Sequence, residues 1–173
     1  LLIDVGVETY SKKTFSPQRY EIWTMQSSWH NLPEFDPDGA AYQQQPGVEF
    51  AAREVVVSDT LDAITMDIAP AYGAVPGLGF YRRRVHLGET GLTLQEETDY
   101  PGTVALSLMS VEKPAVEGST VQFGTLAAAH IKGFARIATE AVPITDPRLR
   151  QAWPDTLYRT RICFTGALTV EVQ

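Results

Sequence analysis

The 173-residue sequence has a single cysteine, Cys163. No disulfide can form within the chain, so its stability must come from packing. Cys163 lies in the apolar run "RICF" and is expected to be a buried, unreactive thiol. A lack of disulfides does not fix the compartment, since exported bacterial proteins often have none. Histidine is scarce too, with only His30, His86 and His130. Positive charge is also short: 14 Lys and Arg face 21 Asp and Glu, a net charge of -7. That balance gives no global field to attract nucleic acid. An acidic polysaccharide would need a local basic patch, for which Arg82, Arg83 and Arg84 are the obvious cluster. No apolar stretch is long enough to span a bilayer, so no membrane partner is expected. There is no Met start and no signal-peptide pattern. "LLIDVGVETY" reads as the inside of a strand. Residues 1–173 are therefore expected to be one domain cut from a longer protein.

The usual catalytic signatures are missing as well. There is no G-x-S-x-G, H-E-x-x-H or C-x-x-C, and no Gly-rich phosphate loop. Ser27 and Ser28 precede His30, but adjacency in sequence does not make a nucleophile and base, and they read as turn or strand hydroxyls. Glu96 and Glu97 would point to opposite faces of a strand, so they are not the facing acids of a glycoside hydrolase. Helix signals are weak. "SDTLDAI" could open a short helix, and "TDPRLRQAWP" predicts one helical turn with Asp146 as cap and Pro147 at its first position.

What the sequence does have is strand signal. "LLIDVGV", "YEIWTM", "VEFAAREVVV", "AITMDIA", "FYRRRVHL", "LTLQEET", "VALSLMSV", "TVQFG", "AAAHIKGFARIATEAV" and "YRTRICF" are short. Many alternate or are rich in Val, Ile, Thr, Tyr and Phe. Turn signals such as "DPDG", "YGAVPGLG", "LGETG", "EKPAVEGS" and "ITDPR" separate them. The pattern predicts an all-β protein, an antiparallel β-sandwich of roughly a dozen strands. In "FYRRRVHL", alternation puts Phe80, Arg82, Arg84 and His86 on one face and Tyr81, Arg83, Val85 and Leu87 on the other. The arginine face reads either as a solvated surface or as a strip for carboxylates or sulfates, whose geometry the guanidinium fork matches.

His30 lies in "SSWHNLPEFDPDG", beside Trp29 and Asn31 and before a turn. Taken alone, it reads as an ordinary packed histidine. Asp4, in "LIDVG", is an acid inside an apolar run, and a buried carboxylate needs a cation, a metal or a hydrogen-bond donor. An Asp and a His from neighbouring strands suit a borderline metal such as zinc. Two ligands do not make a site, and a third would have to come from elsewhere.

The stretch "LIDVGVETYSKKTFSPQRYEIWTMQSSWHNLPEFDPDGAAYQQQPG" resembles the central part of the heparinase II/III-like polysaccharide lyases. In that family an I-D-x-G strand is followed by a Tyr-containing segment, then R-Y, then H-N, then a loop reaching a Gln. "RLRQAWPDTLYRTRICF" resembles the late β region of the same family. The resemblance implies the β-sandwich of an enzyme whose N-terminal α/α toroid is missing here. It implies cleavage of an acidic polysaccharide, such as heparin, heparan sulfate or alginate, by β-elimination. That reaction needs a neutralised uronate carboxylate, a base for the α-proton and an acid for the leaving oxygen. In metal-containing members, the Asp of D-x-G and the His of H-N join an upstream His around zinc. Asp4 and His30 match those two, and the third ligand would lie before Leu1. Tyr10 and Tyr20 are both candidates for the catalytic tyrosine. Arg82 and Arg84, with Trp29 and Asn31 flanking His30, are the candidate substrate contacts. Which of Gln43, Gln44 and Gln45 matches the family Gln is open. The loop after His30 is longer than in many members, and Trp29 stands where small or aromatic residues are usual. The implied setting is periplasmic or extracellular, with the cytoplasm as the alternative, and the fragment alone is expected to be inactive. The rival readings are a non-catalytic carbohydrate-binding sandwich, with Trp23, Trp29 and Tyr81 as its aromatic platform, and a β-domain with a purely structural role.

Overall fold

Short runs of β-branched and aromatic residues between turn residues form strands throughout most of the chain. The computed structural model describes residues 2–47 and 49–173. Leu1 and Val48, which head two of the expected strands, lie outside the described residues. The strands are β1 (Pro33–Phe35), β2 (Arg53–Ser58), β3 (Ala63–Asp67), β4 (Tyr81–Gly88), β5 (Gly91–Thr98), β6 (Val104–Ser110), β7 (Pro114–Glu117), β8 (Thr120–Phe123), β9 (Ala127–Pro143) and β10 (Thr156–Val172). Every pairing is antiparallel. The expected all-β sandwich is what the chain forms.

The order β2-β3-β4-β5-β10-β9-β8-β7 makes one broad sheet, and β6 attaches to β10 and carries β1. The 17-residue strand β10 explains this layout. Its second half, Ala167–Val172, pairs with β5. Its first half, Tyr158–Phe164, pairs with β6 on the same edge. Strand β9 follows β10 along its other edge, with the register broken between Phe164 and Thr169. The bent pair therefore belongs to two layers, with β1 and β6 folded over the broad sheet.

Alternation fills the space between the layers. Tyr81 of β4, Leu94 of β5, Leu106 and Leu108 of β6, Phe123 of β8, Ile131 of β9 and Ile162 and Phe164 of β10 all join one apolar cluster. Phe35 lies among Tyr72, Tyr81 and Tyr100, with ring centroids 5.0, 5.5 and 5.2 Å away. Such edge-to-face contacts add to the area buried. All seven residues of β6 are buried, because its second face is covered too. Met109 of β6 and Leu157 of β10 point into a second cluster with Val5, Val142, Ile144 and Leu149. The N-terminal segment lies over that face.

This segment departs from expectation. The predicted strand over "LLIDVGV" is reduced to a single bridge, Leu2 to Ser110, and residues 3–10 are irregular. The predicted strand "YEIWTM" is instead a run of 3₁₀ turns, Pro17–Glu21, Trp23–Met25 and Ser27–Trp29. Pro17 fixes φ at the first position of the run, and the Ser16 hydroxyl accepts from the Gln18 amide, an N-cap that commits the chain to turns. "SDTLDAI" forms a turn and then β3 rather than a helix. The "TDPRLRQAWP" turn forms as predicted: the Asp146 carboxylate accepts from the amides of Arg148 at 2.9 Å and Leu149 at 3.1 Å. Strands β1 and β7 fall in stretches that read as turns, since each begins at a proline. Cys163 is buried, as expected.

Candidate functional site

The turn Ser27–Trp29 delivers His30 to the surface of the N-terminal segment, and the extended residues after Leu2 bring Asp4 to meet it. His30 Nδ1 lies 2.9 Å from Asp4 Oδ2. Its other nitrogen, Nε2, lies 2.9 Å from the carbonyl oxygen of Thr24. A carbonyl only accepts, so Nε2 carries a proton and donates to it. In the neutral ring this leaves the Nδ1 lone pair facing a carboxylate. Two acceptors at that distance require a proton or a cation between them. Asp4 does not lie in a buried strand as expected. Its side chain is 63% exposed and that of His30 is 21% exposed, because the backbone leaves the ladder after Ile3. Partial burial raises the Asp4 pKa, but the His30 hydrogen bond, the Gly6 amide and the His30 charge together bring it below the ordinary aspartate value.

Asp4 and His30 open onto a cleft of about 450 Å³ that Tyr20, Ser27, Gln44 and Gln45 also line. Of the two candidate tyrosines, Tyr20 is in this cleft. Tyr10 is elsewhere, edge-on to Phe15 at 5.7 Å and beneath the Arg148 guanidinium at 4.7 Å. Gln44 is held by its amide, which donates to Ser27 Oγ at 2.9 Å, and Gln45 by its amide to the Ala71 carbonyl at 2.7 Å. The loop after His30 thus forms the cleft edge.

The other candidate residues are not gathered here. Trp29 packs edge-on against Trp23 at 5.2 Å, with the Arg159 guanidinium 3.6 Å from its ring centre. Asn31 is engaged with the backbone: its Nδ2 donates to Ile3 O at 2.8 Å, and its Oδ1 accepts from the Met109 amide at 2.8 Å. Its own carbonyl accepts from Arg83 Nη1 at 3.1 Å. Arg83 is the inward member of the arginine trio and pairs with the fully buried Glu96. Burial opposes its charge, but the Glu96 carboxylate outweighs burial and holds its pKa above the ordinary arginine value. Arg82 and Arg84 face outward from the same strand, as alternation requires. They line a separate groove of about 400 Å³ with Thr65, Gln95, Glu97 and Thr169. Arg82 is engaged by Glu97 at 3.2 Å. Tyr81 is fully buried and Trp23 and Trp29 are packed edge-to-face beside the second core, so these three form no exposed platform.

Sequence reasoning missed the Thr24 carbonyl, the buried Arg83–Glu96 pair and the anchoring of Trp29 by Arg159. A backbone acceptor has no residue identity to read. The buried pair had one signal: two residues of opposite charge, each at an inward position of an adjacent strand.

No group of three or more His, Cys, Asp or Glu side chains suited to a metal occurs among the described residues. The pair does offer two donors of the types that zinc takes. The Nδ1 lone pair and the Asp4 carboxylate converge, and the far ring nitrogen is tied to a carbonyl, the usual support of a metal-bound histidine.

The same fold occurs in solved lyase structures. Heparinase III matches over 98% of this chain with a TM-score of 0.63 and 14% identity. A second heparinase III matches over 99% with a TM-score of 0.63 and 16% identity. A mutant of the heparan sulfate lyase HepC from Pedobacter heparinus matches over 98% with a TM-score of 0.61 and 12% identity. The chain spans 27 to 28% of the length of these proteins. Comparison with protein-family models and with curated sequences gives no match. No helix among the described residues is long and apolar enough to cross a membrane.

Proposed function

We propose that this chain is the β-sandwich part of a heparinase II/III-like polysaccharide lyase. Such an enzyme cleaves a uronate-containing, acidic polysaccharide such as heparin, heparan sulfate or alginate by β-elimination. The observation that carries this reading is the likeness to heparinase III over almost every residue of the chain. Asp4 and His30, the residues expected to act together, also meet in a cleft of that fold.

Within this reading each group has a role set by its position. His30 has both nitrogens engaged, one by Thr24 and one by Asp4, so it is a metal ligand rather than a base. Asp4 and His30 would hold zinc, with a third ligand from chain preceding Leu1. Bound there, zinc would supply positive charge beside the cleft. Tyr20 lies in the same cleft and is 42% exposed. It is the tyrosine placed to exchange a proton with a sugar bound there. Gln44 and Gln45 would hydrogen-bond that sugar. Arg82 and Arg84, on the far face of the broad sheet, would contact a more distant part of an acidic chain. Trp29 and Asn31 shape the site from behind and are reassigned from substrate contacts to support.

The chain is one wall of a cleft and lacks most of an acid–base set, so the isolated 173 residues will not turn over substrate. The partner that completes it would be an α/α toroid of the same polypeptide, and the setting that goes with this reading is periplasmic or extracellular, with the cytoplasm as the alternative. The test is the ultraviolet absorbance of unsaturated product on heparan sulfate and on alginate. The longer protein should produce it on at least one of them. No product on any uronate polysaccharide would sink the lyase reading, and product from the isolated chain would sink the claim of dependence.

A further inference from the structure

The backbone near His30 holds a ring of three hydrogen bonds. The Ile3 amide donates to the Met109 carbonyl at 3.0 Å. The Met109 amide would be expected to return the bond to residue 3, as antiparallel neighbours do. Instead it donates to Asn31 Oδ1 at 2.8 Å, and Asn31 Nδ2 donates to the Ile3 carbonyl at 2.8 Å. The side-chain amide of Asn31, with one acceptor and one donor in a plane, stands where a rung of the ladder would be. It spreads the N-terminal segment from β6 by the width of one amide. Residue 4 follows at once and leaves the ladder.

Asn31 is fixed from its other side as well. Its carbonyl accepts from the buried Arg83 at 3.1 Å. Its φ of 33° is in the left-handed region, which asparagine tolerates better than most side chains. One residue therefore controls both halves of the pair: His30 through the peptide bond, and Asp4 through the Ile3 carbonyl.

We propose that Asn31 is the positioning residue of the Asp4–His30 pair, its inserted amide setting the gap between the carboxylate and the imidazole. The geometric claim stands on the hydrogen bonds alone. Its consequence for metal rests on the zinc reading above, and the two are separated by measuring them apart.

The informative variant is Asn31→Gly. Glycine accepts the φ of 33° without strain, so it removes the amide and spares the turn. Asn31→Asp is the second variant: it keeps an acceptor for the Met109 amide but loses the donor to Ile3. The first readout is the side-chain ¹⁵N signature of His30 in metal-free protein, which reports hydrogen on both ring nitrogens, as the contacts to the Thr24 carbonyl and the Asp4 carboxylate require. Both variants should shift it toward that of a freely exchanging ring. Val170→Ala, a core truncation in the far half of β10, serves as the control for general loosening and should leave the signature in place. The second readout is zinc affinity, expected to fall by about 10- to 100-fold in both variants, the range seen when support of a metal ligand is lost. A wild-type His30 signature in Asn31→Gly, or an equal shift in Val170→Ala, overturns the positioning role. Absence of zinc binding by the wild-type longer protein overturns the zinc reading and leaves the ¹⁵N test of Asn31 intact.

Discussion

At the scale of single residues, orientation decides what His30 can do. Its Nε2 proton is committed to the Thr24 carbonyl, in a turn whose own hydrogen bonds are local. Replacing His30 with Ala in the longer protein should remove bound zinc, measured by elemental analysis, and lower folding stability with it. Unchanged zinc with lost turnover would instead assign His30 to direct catalysis. The same logic of satisfied acceptors applies to Asp67 at the end of β3, which is 2% exposed. One oxygen accepts from the amides of Ala69 and Tyr81 at 2.9 Å, and the other from Arg53 Nε at 2.6 Å. Burial alone would raise its pKa. The Tyr81 and Ala69 amides and the Arg53 guanidinium more than reverse that, and the carboxyl titrates below its ordinary value of 3.8. A depressed folded pKa gives stability that is present above the unfolded value and disappears as pH falls through the folded one. Wild-type stability should therefore drop as pH is lowered below about 4. Asp67→Asn should be less stable at neutral pH by about 1–3 kcal/mol and show a shallower acid dependence in denaturant titrations at several pH values.

At the scale of elements, legibility followed burial pattern. Strands β4, β5, β6, β9 and β10 were readable because one or both faces pack on apolar neighbours, and alternation or an unbroken apolar run records that. The inward placement of Arg83 and the opposite faces of Glu96 and Glu97 came from the same alternation. Residues 2–10 and 17–29 carry apolar residues too, but these cover the second core from irregular backbone. Composition alone cannot separate that use from a strand. The Asp4–His30 pair was read first as an acid in an apolar run beside a histidine on a neighbouring strand and then through the family resemblance, but neither residue lies in the strand that the first reading assumed. Within the sheet, the Arg83–Glu96 ion pair is the most testable element-level feature. Arg83 is 11% exposed at its side chain and Glu96 is fully buried. Arg83→Met would leave a carboxylate in the core without its partner and should cost about 3–5 kcal/mol in denaturant unfolding. Adding Glu96→Leu to it should recover much of that loss, because an apolar pair removes the desolvation penalty altogether. A double variant no more stable than the single would mean that Arg83 acts mainly through its bond to the Asn31 carbonyl.

For the whole molecule, the two layers exist because β9 and β10 turn a corner together. Both strands carry a glycine with positive φ there, Gly133 at 86° and Gly166 at 70°. Their surroundings differ. A Cβ at Gly133 would run into the carbonyl oxygen of Ala167 on the neighbouring strand, whereas nothing lies within 4 Å of one at Gly166. Backbone carbonyls in a ladder cannot swing aside as a side-chain tip can. Gly133→Ala should thus destabilise the protein by more than about 1 kcal/mol, through a clash added to an unfavourable φ. Gly166→Asn should cost far less, since asparagine tolerates the left-handed region and meets open space. Because the β9–β10 bend carries β6 over the broad sheet, and β6 anchors the Asn31 amide, damage at Gly133 should reach the cleft. Thermal melts of both variants, read beside the His30 ¹⁵N signature, test this directly. Gly133→Ala should lower the melting temperature and disturb His30, while Gly166→Asn should lower it far less and leave His30 in place. Equal effects from the two glycines would show that the corner is set by conformational freedom alone and not by the close approach of β10 to β9.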